Sequence, residues 1–584
     1  MTLHRDTLLD NYIFMRPCSS LDMYALKLCE SLEPGGGEKS AVAYHKYGRI
    51  GTELLVEGEP MEEHVVAKPH PSATPPSAFA DRPAYKWWVT WTIMVGSFLF
   101  ALDSTIVNIA IPKIMTSISA DLNQIQWVLI IYMIGMAVVM PAAGWLSDLC
   151  GHKWLYMGSL TVFTISSALC GMAWSPASLI CFRCLQGLGA GAIAPTSMAI
   201  IYRVFPPQQR GLGMGIQQLG WTFGPILGPT LGGYLTDMLS WRAIFYINLP
   251  LGIVGVALAA TVMGADLSGR RWRRLDFLGL VTMATGVVTL LLALSQGNRE
   301  GWNSPYIVWL FIITGVALPL FVLIELWVRD PLVDLRLYRK SNYAMATLVG
   351  VLLGFGMFGS SLLVPLFLED FLEYTAWQAA LLMLPGVLLT GGFSPLAGKL
   401  SDRFNPHLFL VLGFLLAAAA TYWFACMNVQ TEERTLIWAL IVRGGLGFVF
   451  PPLIMLALRT LAHEEISAAS GLLNITRQIA GMGGIALAGV LLERWHYVHH
   501  LTGAEHLGAS TVGLEQVQRT LGWMLRGEGD MGEVLQAKVQ AVLSQYLSQE
   551  SLVVAFQDCY VVFTVVFIAA ALASVCIPSG EEKQ

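Results

Sequence analysis

Residues 144–154 read GWLSDLCGHKW, and residues 398–407 read GKLSDRFNPH. Both start on glycine, reach an aspartate through Leu-Ser, and close a long apolar run. The echo has company. RCLQGLGAG (183–191) is matched by RGGLGFVF (443–450), and GIQQLGWTFG (215–224) by NITRQIAGMGG (474–484). The offsets, roughly 254 to 260 residues, keep the same order along the chain. A chain that repeats itself in this way is built from two related halves. A site between paired halves is exposed to alternate sides when one half rocks against the other, which is the architecture of transporters.

Working outward from these motifs, a bilayer crossing takes about 20 apolar residues. Runs of that length, bounded by polar or Gly/Pro residues, fall at about 88–111, 125–146, 154–173, 177–202, 211–235, 246–264, 275–296, 306–328, 342–367, 377–397, 408–427, 435–461, 469–492 and 552–577. The expectation is an all-α integral membrane protein with fourteen transmembrane helices. Spans 1–6 and 9–14 form the two six-helix halves, and spans 7 and 8 are inserted between them. The domain boundaries expected are 1–84 for a mostly disordered cytoplasmic tail, 85–265 for the first half, 266–340 for the insertion and a cytoplasmic linker, and 341–584 for the second half.

Composition agrees. Of 584 residues, 55% are hydrophobic and only 13% charged, against roughly 25% charged in soluble domains. The net charge of −5 lacks the basic excess of nucleic-acid-binding proteins. Nine cysteines are scattered along the chain, and none falls in the polar stretch 493–551, so no disulfide framework is expected there. CFRC (181–184) has the C-x-x-C spacing of redox and zinc sites, but it lies in an apolar span without a second ligand pair. We read it as structural and expect no metal site. No G-x-x-x-x-G-K-[ST] loop occurs, which argues against drive by ATP. The chain opens without a secretory signal, and Met61, after EGEP, is expected to be the natural start. Intact-mass measurement of the native protein checks that.

Loop charge orients the bundle. With the tail inside, the inner loops (HKW, YRVFPPQQR, GRRWRR, VRDPLVDLRLYRK, GKLSDRF and ALRT) hold about fourteen Lys and Arg, against about four in the short outer loops. That positive-inside bias places both termini in the cytoplasm. The segment 493–551 is then extracytoplasmic. Its stretch 514–549 has helical spacing of Leu, Val and Met and reads as an amphipathic hairpin packed on the protein, with docking to the bilayer or to a partner as the alternative.

Asp103 stands inside FLFALDSTIVNIAIPKI (98–114). A charge at the middle of a bilayer helix costs about 2.5–3.5 kcal/mol on insertion scales. Burial disfavours its charged form, whereas an aqueous cavity permits it to ionise. A carboxylate whose proton follows which side is open is the minimum part for proton coupling; the alternative is a structural aspartate bonded to a neighbouring helix. Arg183, a third of the way into the fourth span, lies at matching depth.

GWLSDLCGHKW resembles the loop motif between spans 2 and 3 of the major facilitator superfamily. LDSTIVNIAIP (102–112), GPILGPTLGGYL (224–235) and WRAIFYINLPLG (241–252) resemble the fourteen-helix drug:proton antiporters of the EmrB/QacA type. The likeness runs from about 88 to 577, with Leu149 in place of the usual basic residue and His152 in place of an arginine. It implies that Asp103 carries the proton and that Arg183, on a neighbouring helix, pairs with it. Bonding of Arg183 to Gln186 or to carbonyls alone is the other reading. It implies a conformational latch at Gly144, Asp148, Gly151 and Lys153, repeated at Asp402 and Arg403, where a solvated loop acid is the simpler alternative. Gly224, Gly228 and Gly232 form a bare helix stripe that admits a close partner, Gly233 adjoins it, and Pro225 and Pro229 remove helix hydrogen bonds. The resemblance adds a hinge and a seal against leak.

A cavity for amphipathic drugs is mainly apolar with a few polar groups. Trp127, Tyr132, Gln186, Gln217, Gln218, Trp221, Asn474 and Gln478 are the candidate substrate contacts. The function expected is proton-coupled export (antiport) of amphipathic or hydrophobic small molecules, with multidrug efflux as the leading reading, across a bacterial inner membrane by alternating access with Asp103 as the proton carrier. No cofactor beyond the proton gradient is expected. Export of one physiological lipid, siderophore or metabolite is the alternative. An enzyme should cluster His, Asp and Glu at one face, and the spans are nearly empty of His. A sensor should carry a folded output domain, which the tail does not resemble. Partners are the substrate, protons and membrane lipid, with a periplasmic adaptor and outer-membrane channel where the cell has two membranes.

Overall fold

In the computed structural model the chain is described over residues 84–264, 276–328, 331–428, 430–462, 465–509, 520 and 533–578. The tail expected at 1–84 lies outside these residues except for Ala84, as do 265–275 of the linker and, apart from Thr520, the part 514–532 of the expected hairpin.

Among the described residues, fourteen long helices follow one another: α1 (Tyr85–Ser117), α2 (Leu122–Cys150), α3 (His152–Gly171), α4 (Pro176–Val204), α5 (Arg210–Met238), α6 (Ala243–Val262), α7 (Phe277–Glu300), α8 (Pro305–Trp327), α9 (Ser341–Glu369), α10 (Ala376–Ser401), α11 (Pro406–Ala425), α12 (Glu433–Leu458), α13 (Ile466–Ala509) and α14 (Glu533–Val575). Thirteen are long and apolar enough to cross a bilayer. The exception is α5, whose 29 residues give ample length, at about 1.5 Å per residue. Glycine dilutes its apolar content. Each helix overlaps one expected span.

Helix starts are written locally. Asp121 with Gln124, Ser175 with Ser178, and Thr375 with Gln378 form reciprocal capping boxes, which satisfy donors that a helix start leaves open. Pro176, Pro305 and Pro406 occupy first-turn positions, where a missing N–H does no harm. Between α2 and α3, Gly151 has φ 86°, a left-handed conformation that side chains disfavour.

The halves are α1–α6 and α9–α14, and α7 packs against both α2 and α13. Outermost is α8, which turns Trp309, Ile312, Val316, Leu323 and Trp327 outward, as a lipid-facing helix requires. The halves meet where α5 lies against α10 and where α2 and α4 lie against α13. At the end bearing the Lys- and Arg-rich loops, here the basic end, Asp402 accepts hydrogen bonds from Gly211 N at 2.8 Å and Leu212 N at 2.9 Å. Tyr202 donates to Leu458 O at 3.1 Å, Ser147 to Ser467 Oγ at 2.9 Å, and Ser470 to Pro195 O at 3.0 Å. These bonds close the basic end.

Residues 493–509 and 533–551, expected within an extracytoplasmic loop, are continuations of α13 and α14. With 44 and 43 residues, these helices are each roughly 65 Å long, about twice the hydrocarbon thickness. Their extensions pack on one another, and His499 Nε2 meets Asp558 Oδ2 at 2.7 Å.

Candidate functional site

A cavity of about 460 Å³ lies between the halves. From the first half, Ser104 and Thr105 of α1, Met198 of α4, and Met214, Gln217, Gln218, Trp221 and Pro225 of α5 line it. From the second come Phe358 and Ser361 of α9, Met383 and Thr390 of α10, Arg443 and Phe450 of α12, and Asn474 and Arg477 of α13. The wall is mostly apolar, sulfur-rich and aromatic. Such surfaces adapt to varied shapes, because methionine is unbranched and polarisable.

Asp103 is absent from that lining and stands immediately behind it, next to the cavity-lining Ser104. It is fully buried, at 0% exposure. Arg183 Nη1 donates to Asp103 Oδ2 at 2.7 Å, while Gln186 Nε2 and Asn248 Nδ2 donate to Oδ1 at 2.9 and 3.0 Å. The partners of these groups are equally defined. Arg183 Nη1 also donates to Gln186 Oε1 at 2.8 Å and Nε to Val128 O at 3.3 Å. Asn248 donates to Ser167 Oγ at 3.1 Å. The guanidinium carbon lies 4.2 Å from the centre of the Tyr132 ring, a favourable cation–π contact. Arg183 therefore pairs with the acid and binds Gln186 and a carbonyl besides, so the reading that confined it to Gln186 or carbonyls alone does not hold. Additional hydrogen bonds of this kind offset the cost of burying an ion pair.

The glycine stripe of α5 places this network. A methyl group at Gly224 would run into Ala101 and Leu102, one at Gly228 into Thr105, and one at Gly232 into Ile106. The stripe thus seats α5 on the face of α1 flanking Asp103. Gly233 is outside it, with Ile109 its nearest neighbour at 4.0 Å. The helix runs unbroken past both Pro225 and Pro229.

The expected latch residues divide. Asp402 bridges the halves directly, as described above, and Gly144 lets α2 lie against Ala468 of α13. Asp148 stands half-buried beside Ser147, whose hydroxyl bonds across to Ser467. Lys153 instead donates to Ala260 O at 2.9 Å and Met263 O at 2.5 Å. There it serves the carbonyl end of α6 inside the first half, where cations are favoured. Arg403 is exposed. Burial raises the carboxyl of Asp402 above the usual carboxylate range, and the amides of Leu212 and Gly211 pull against that shift.

Of the candidate substrate contacts, the structure brings Gln217, Gln218, Trp221 and Asn474 to the cavity. Gln186 and Tyr132 belong to the Asp103 network. Trp127 lines a separate recess with Gln126, Arg299 and Tyr306, and Gln478 is outside the lining. Sequence reading passed over Asn248, Ser167, Arg443, Phe358 and Phe450. Two of these had a signal: Asn248 is the lone amide of IFYINLPLG, and Arg443 is the letter of RGGLGFVF that matches Arg183.

A family model for the Major Facilitator Superfamily matches residues 93–485. The multidrug export protein EmrB of Haemophilus influenzae is 32% identical over 423 residues, covering 72% of this chain and 83% of that one. The fatty acid resistance protein FarB of Neisseria gonorrhoeae is 30% identical over 488 residues, covering 82% and 94%. Among solved structures, the human organic anion transporter MFSD10 aligns with a TM-score of 0.56 at 15% identity over 84% of this chain and 99% of that one, a likeness of fold. The chain belongs to the Major Facilitator Superfamily.

Proposed function

We propose that this Major Facilitator Superfamily member is a proton-coupled exporter of hydrophobic and amphipathic small molecules, a multidrug pump of the bacterial cytoplasmic membrane with both termini inside. The reading rests on one observation: a fully buried carboxylate, held by Arg183, Gln186 and Asn248, adjoins the cavity wall. Relatives named for multidrug export support it.

A proton reaching Asp103 neutralises the carboxylate and removes its attraction to Arg183, loosening α1 from α4. Loss of the proton restores the pair. Because Ser104 and Thr105 line the cavity and the glycine stripe ties α5 to α1, that change moves two cavity walls together. The conformer described has its basic end closed, which on the charge-derived orientation shuts the cavity from the cytoplasm. One proton returning through 100 mV releases about 2.3 kcal/mol. At about 1.4 kcal/mol per tenfold, this sustains roughly a 50-fold substrate gradient. In a cell with two membranes, a periplasmic adaptor and an outer-membrane channel complete the route.

Proteoliposomes with an imposed pH gradient test this. Asp103→Asn should abolish uphill drug transport and leave downhill exchange measurable. Undiminished coupled transport would remove Asp103 from the mechanism. The relative named for fatty acid resistance favours a narrower second reading, export of a single lipid class; transport of chemically unrelated drugs by the same vesicles would exclude it.

A further inference from the structure

We infer that the inter-half cavity is built for amphipathic organic anions, whose negative group is met by Arg443 and Arg477 and whose apolar body lies against the methionine and aromatic wall. This rests on reading the cavity as the transport site. Arginine stays charged in proteins, so both side chains bring positive charge to the lining. No Asp or Glu lines the cavity, and neither arginine forms an ion pair among the described residues. Asp103, which adjoins the lining at Ser104, is spent on Arg183 behind α1.

Both guanidinium groups are positioned rather than satisfied. Arg443 donates from Nη2 to Ser360 Oγ at 3.1 Å and Ser361 Oγ at 2.7 Å, and from Nη1 to Ser360 O at 3.4 Å. Arg477 donates from Nη2 to Asn474 Oδ1 at 2.9 Å and lies over the Phe450 ring at 5.4 Å. The partners are neutral, so they orient the cations and leave their charge uncancelled. Nε of both residues and Nη1 of Arg477 donate to nothing among the described residues. A guanidinium with free donors in a mostly apolar enclosure is complementary to a carboxylate or sulfonate, and Trp221, Phe358 and Phe450 accept a flat hydrophobic body.

Three probes share one ring system and differ in head-group charge: 2-naphthoate, 2-naphthylmethanol and 2-naphthylmethylammonium. Equilibrium dialysis against the full chain in lipid nanodiscs should show the anion binding at least about tenfold more tightly than the cation, with the alcohol between. That is the scale of a hydrogen bond to a charged group. Arg477→Gln and Arg443→Gln should each weaken 2-naphthoate about tenfold while the alcohol changes less than about twofold, and Lys variants should restore part of the preference. Equal or tighter binding of the cation, loss of all three probes together in the Gln variants, or binding of none by the wild type would overturn the inference. Transport separates it from the broader reading. If a pH gradient drives the cation as well as the anion, the exporter stands and the anion site falls. If no probe moves while 2-naphthoate still binds through the arginines, the exporter falls and the anion site stands.

Discussion

In the first half, Arg183 of α4 meets Asp103 of α1 at 2.7 Å. In the second, Arg443 of α12 holds the matching place in the repeat and meets Ser360 and Ser361 of α9. Carrying the repeat offset onto Asp103 lands on α9 between Met357 and Leu363, the turn that supplies those serines. The same cation thus faces an acid in one half and hydroxyls in the other. In the first half the charge is cancelled behind the wall, where it controls helix packing. In the second it remains at the cavity surface, where a ligand can use it. Duplication supplied two equivalent cations, and the residue opposite each decides its work.

The harshest way to break the comparison is Arg183→Ala. It strips Asp103 of its charge partner in a closed apolar site, and one-sided removal from a buried pair costs about 3–5 kcal/mol. Thermal unfolding of the purified protein should show that loss. Arg443→Ala should cost much less, because serines rather than a buried acid are left behind. Equal losses would mean that the two sites are energetically alike.

Ser360→Asp sharpens the contrast by copying the first-half arrangement into the second. It should lower 2-naphthoate affinity about tenfold, or about 1.4 kcal/mol, with little change for the neutral alcohol. Dialysis reads the outcome directly, and unaltered anion affinity would show that Arg443 does not govern head-group choice.

The smallest effect belongs to the latch. Asp402→Ala removes the acceptor for two amides in the first turn of α5, comparable to loss of a helix cap at about 1 kcal/mol. Its pH dependence has a defined sign. Burial raises the Asp402 carboxyl in the closed state, whereas opening returns it to the ordinary value, so the closed state binds more protons. The raised group's contribution is fully present below the ordinary carboxylate range and is lost as pH rises through the closed-state value. Distances between spin labels across the basic end should therefore show closure strengthening as pH falls through that window in the wild type. The Asp402→Ala protein should lack this component.

Much of the site was legible where residue type was unusual for its surroundings. Asp103 and Arg183 stand out because charge is rare in an apolar span, and the glycine stripe because its period matches a helix face. Lys153 misled because its motif position marks a latch, yet its reach leads to the carbonyl end of α6. Trp127 and Gln478 show that neither aromatic nor amide character reveals which way a helix face turns. The 493–551 stretch read as a segment set apart from the spans, with a helical hairpin over 514–549, because its polarity excludes the bilayer; its described parts instead continue α13 and α14, since a helix can extend into water.

From sequence alone came the number of spans, their duplication, the basic end and the buried acid, because insertion into lipid demands long apolar runs and makes every exception conspicuous. Tertiary structure alone decided that Asn248 and Gln186 complete the acid's shell, that Asp402 bridges the halves while Lys153 does not, and that Arg443 and Arg477 share one cavity. Those outcomes depend on the rotation and separation of helices far apart in the chain. Packing sets both, and hydropathy leaves them open.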